Sequence, residues 1–145
     1  MLISAQDGSV ISQWDHRKMN VNFHTSVADK GVVYGITWDK KKHHLDCFDL
    51  NTGKDKWNRK LDDWGAFSVA GDYILLIEAD GTLSVLEAGS QSYKVVSKAR
   101  VLKMENREKA PDDQPVTCWT SPVLCNGRIY VRNTYGEIAC VDMRM

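Results

Sequence analysis

Three segments, HTSVADKGVVYGITW…LDCFDLNTGKDKW, AFSVAGDYILLIEADGTLSVLEAGSQSYKVV and WTSPVLCNGRIYVRNTYGEIACVDM, repeat one grammar along a chain of 145 residues. A sequence built from one small unit in series cannot bury the faces of any single copy, so the copies must stack. Matching serines Ser26, Ser68 and Ser121 lie 42 and 53 residues apart, and matching acids Asp49, Glu87 and Asp142 lie 38 and 55 apart. The longer second interval has a visible cause, the polar stretch KMENREKAPDDQP from Lys103 to Pro115, which reads as a surface insertion.

Within each unit the pattern is that of β-strands. Short apolar runs rich in Val, Ile and Tyr are cut by Ala70-Gly71-Asp72, Asp80-Gly81, Asn126-Gly127 and Tyr135-Gly136, residues that supply positive φ in tight hairpins. The runs YILLI and GVVYGI do not alternate polar with apolar, which predicts sheets covered on both faces. Small meander sheets stacked face to face, one per period of this length, describe the blades of a β-propeller. The expectation is an all-β propeller segment of roughly three four-stranded antiparallel blades. Its parts are an orphan outer strand in residues 1–21, blades at 22–61 and 62–102, the insertion at 103–115, and a blade at 116–145 that stops after its third strand. SKARVLKMENREK is the single helix candidate, and the strand reading is preferred there.

Composition excludes several functions. Nineteen basic and nineteen acidic residues cancel, so the field of a nucleic-acid binder or a basic membrane-surface protein is absent. The apolar run Tyr73–Ile77 is far short of the roughly 20 residues a membrane helix needs. The start MLISAQDGSVISQW lacks the features of a secretory signal, leaving the compartment open. Cys47, Cys118, Cys125 and Cys140 stand singly, which argues against a zinc or dithiol redox motif and for buried free thiols. Lys40, Lys41, Lys42, His43 and His44 read as a solvated loop.

The units share an opening Ser-Val or Ser-Pro-Val, a strand such as VVYGI or RIYVR, and, most fully in LDCFDLNTGKDKW, the ordered series Asp, Thr-Gly, Trp. That series resembles the pyrroloquinoline-quinone-like repeat of quinoprotein-like β-propellers and, more distantly, the propeller lipoproteins of outer-membrane β-barrel assembly. VLEAGSQSYKVVSKARVL and CWTSPVLCNGRIYVRN carry the resemblance most specifically, and it spans nearly the whole chain. It is similar to the C-terminal portion of larger bacterial propellers, many of them periplasmic. The catalytic relatives bind pyrroloquinoline quinone and calcium beneath an adjacent-cysteine disulfide. This chain has no adjacent cysteines, and no calcium-ligand set maps onto it, so no catalytic, cofactor or metal role is carried over.

The resemblance implies a recognition or scaffold module for a partner protein or a small polar ligand. Its alternatives are a quinoprotein-type oxidoreductase and a purely structural fragment. Asn22, His24, Trp64, Phe67 and Trp119 stand at the entries to the first strands of the units and would gather at the channel mouth, where such proteins bind ligands. The plainer reading makes Trp64 and Trp119 inter-blade packing and His24 structural, with Trp14 and Trp57 as the repeat's structural tryptophans. Since closed propellers have about 4 to 8 blades, the chain is either part of a longer propeller or a protomer of a homodimer closing a ring of about six.

Overall fold

In a computed structural model the described residues are 2–4, 6–12, 14, 21, 24–39, 42–104 and 116–144, and they form strands and turns with no helix among them. The chain divides into two compact units, residues 1–60 with 90–92 and residues 61–89 with 93–145.

In the first unit β1 (Leu2–Ile3) pairs antiparallel with β2 (Val10–Ser12). The strand expected to be an orphan therefore has a partner. Asp7 makes the connection, its carboxylate accepting from the Ser9 amide and hydroxyl while Gly8 takes φ 70°. The next sheet runs in chain order: β3 (Val27–Asp29), β4 (Val32–Asp39), β5 (Lys42–Asp49) and β6 (Asp55–Leu61). Lys30 and Gly31, both at positive φ, join β3 to β4, as the twist of a two-residue hairpin demands. Lys42, His43 and His44 are strand residues rather than loop, because β4 and β5 stay in register out to Asp39 and Lys42. His43 is buried and stacks on its cross-strand partner Trp38, ring centroids 6.3 Å apart and planes 6° from parallel. That aromatic pairing outweighs the loop-like charge of the neighbouring lysines; Lys40 and Lys41 lie outside the described residues.

The turn after β5 gives the Asp, Thr-Gly, Trp series a mechanical meaning. One oxygen of Asp49 accepts from the amides of Asn51 and Thr52 and from the Thr52 hydroxyl, and the other lies 3.2 Å from the Lys56 ammonium. These bonds, Thr52 foremost, hold the Asp49 carboxyl below its ordinary range. Gly53, at φ 67°, then passes beneath the indole of Trp14, where a Cβ would meet ring carbons at 2.6 Å. Trp14 Nε1 donates to the Leu50 carbonyl at 2.7 Å, fixing the indole on the turn.

The second unit stacks two sheets. One is β7 (Gly65–Ala70), β8 (Tyr73–Glu78), β9 (Thr82–Ala88) and β10 (Tyr93–Arg100); the other is β11 (Val123–Cys125), β12 (Arg128–Arg132) and β13 (Ile138–Asp142). Asn126 and Gly127 turn β11 into β12, both at positive φ. The core between the sheets is made by Leu75, Ile77, Leu83 and Val85 against Ile129 and Val131. Leu102, Met104, Val116 and Cys118 close it. The expected surface insertion thus begins in the core at Met104, while residues 105–115 lie outside the described residues. The β12–β13 turn is held by buried Asn133, whose Oδ1 accepts from the amides of Tyr135 and Glu137.

Gly53→Ala combines a left-handed backbone with displacement of the Trp14 ring. It should destabilise the chain by about 1–3 kcal/mol, read as a lower urea midpoint. An unchanged midpoint would contradict the seat assigned to Trp14.

Candidate functional site

The repeat places one cross-strand pair at the same point of each blade, two residues before the matching acid. These pairs are Tyr34 with Cys47, Leu75 with Val85, and Tyr130 with Cys140. In the first two blades they are sealed, with Tyr34 at 3% and Cys47 at 0% exposure. In the third, Tyr130 is 37% exposed and Cys140 is open to solvent. The chemistry of the position is unchanged between Cys47 and Cys140, so the difference lies in what covers the sheet. Accordingly β12 alternates buried with exposed residues after Arg128 and β13 alternates half-buried with exposed ones, whereas β8 is buried along nearly its whole length.

The uncovered face carries Val123 and Ile138 beside Tyr130, with Ile138 71% exposed. Exposed apolar side chains gathered across neighbouring strands in this way are uncommon on the surface of a soluble monomer. Arg128 and Asp142 pair at the margin of the face, Nε to Oδ2 at 3.3 Å, and Arg144 Nε donates to Asp142 Oδ1 at 2.8 Å. Hydrogen bonds from Arg144, with a smaller contribution from Arg128, hold the Asp142 carboxyl at about 2. Burial pushes the Cys47 and Cys118 thiols up to about 11.

The five residues expected at a channel mouth are placed as follows. Asn22 lies outside the described residues. His24 is half-buried on a bend ahead of β3 in the first unit. In the second unit Trp64 is half-buried just before β7, its amide donating to Asp63 Oδ1 and its carbonyl accepting from Ala79. Phe67 is buried within β7 opposite Leu76. Trp119 is 43% exposed ahead of β11. The sequence reading did not mark this exposed face. Its signal was present in RIYVR and IACVD, whose clean alternation contrasts with YILLI.

Two polar clefts complete the surface. One of about 230 Å³ in the first unit is lined by Thr37, His44, Asp46, Asp55 and Trp57, with the Thr37 hydroxyl donating to Asp46. A smaller one of about 100 Å³ in the second unit gathers Asp62, Asp63, Glu78 and Asp80. Three of its four acids hold the chain: Asp63 accepts from the Trp64 amide, Asp80 accepts from the Thr82 amide and hydroxyl, and Glu78 faces Lys98 at 3.9 Å. Among the described residues no three His, Cys, Asp or Glu side chains are placed to share a metal ion.

No protein-family description matches the chain, and no curated protein is similar to it. Solved structures are. The chain is similar to BamB from Moraxella catarrhalis, at 19% identity and a TM-score of 0.58, over 81% of its own length and 36% of that protein's. It is also similar to a europium-containing methanol dehydrogenase, at 14% identity and a TM-score of 0.66, over 90% of its own length and 24% of that enzyme's. Both are quinoprotein-like propellers, and the blades of this chain have that fold. The chain spans about a third or less of the length of these neighbours.

Because the folded Asp142 carboxyl lies below its unfolded value near 4, its bonds to Arg144 and Arg128 stabilise the fold above about pH 4 and are lost as pH falls toward 2. In Arg144→Ala the Asp142 midpoint, followed by carboxyl NMR titration, should move up toward about 4. In dilute chain, a thiol reagent should label Cys125 and Cys140 at once and reach buried Cys47 and Cys118 after unfolding.

Proposed function

We propose that this chain is a non-catalytic recognition and scaffold segment of a β-propeller that binds protein, with a second copy stacking on the uncovered face of its third sheet to continue the ring. The observation that carries this reading is the exposure of Tyr130 and Cys140 at the position where Tyr34 with Cys47 and Leu75 with Val85 are buried. Among the described residues the matching positions of the β3–β6 and β7–β10 sheets are buried, whereas no sheet lies over those of the β11–β13 sheet. A stacking sheet would remove Val123, Tyr130 and Ile138 from water, the apolar centre that protein interfaces place inside a polar rim. Arg128, Arg132 and Asp142 supply the rim.

Protein is favoured over a small polar ligand because Phe67, one of the residues expected at the channel mouth, is buried in its sheet. A second copy is the partner at hand with matching blade faces, and two-fold closure is the commonest symmetric assembly. Two such chains would give about six blades, within the usual range for a ring.

Light scattering behind a sizing column tests this. The expected mass is that of two 16.4 kDa protomers, with Cys140 slow to label in the assembled form. Ile138→Glu, which sets a charge in the centre of the face, should return the mass to one protomer without loss of strand content in circular dichroism. A monomer at all concentrations would reject the second copy as the partner.

A further inference from the structure

We draw no further inference here: the strongest candidate, the apolar groove of about 480 Å³ between the β7–β10 and β11–β13 sheets lined by Tyr73, Leu75, Val85, Val96, Ile129 and Met143, carries nothing, because nothing in the structure shows what covers it.

Discussion

A blade of this repeat is apolar on both faces, and everything else in the structure depends on that double need for cover. Apolar surface left in water costs on the order of 25 cal/mol per Å². A sheet such as β7–β10, with Leu75 and Val85 toward one side and Ile74 and Leu86 toward the other, is stable in water only between neighbours. The consequence appears where a neighbour is lacking among the described residues. Tyr130 and Cys140 have the same place in the repeat as Tyr34 and Cys47, yet stand in solvent.

Local polar chemistry then determines how each sheet is finished. Asp49 organises its turn through Asn51 and Thr52, which lets Gly53 adopt positive φ and receive the Trp14 indole. The matching acid of the third blade, Asp142, follows a different course: it gathers Arg128 and Arg144 instead of a threonine turn. One repeat position thus serves a turn in one blade and a charged rim in another. That divergence gives the third sheet an apolar face with a polar margin, and an edge that carries excess positive charge.

The functional reading follows from geometry rather than from a reactive group. Asp46, Asp63, Glu78 and Asp80 of the clefts are engaged in holding turns and strands, and exposed apolar side chains lie on a sheet face. A flat apolar face is complemented by the face of another sheet rather than by a small polar molecule. Similarity to BamB and to a methanol dehydrogenase is a similarity of blades, and it leaves binding to be decided by these local surfaces.

The sequence by itself determined the all-β class, the meander blades and the turn positions, because strand periodicity, Asn-Gly and Asp-Gly hairpins and the Asp, Thr-Gly, Trp series are local signals that short stretches carry in full. It misled where a local signal met a cross-strand partner. The lysine-rich stretch before His43 reads as a loop, but Trp38 across the ladder holds His43 in a strand. Val10–Ser12 reads as an orphan strand, but Leu2–Ile3 pairs with it. Tertiary structure alone decided which faces are covered, that Met104 belongs to the core and that Phe67 is buried. Burial is a property of the neighbour and not of the residue, and a cysteine two places before an acid cannot report, in one dimension, whether another sheet lies over it.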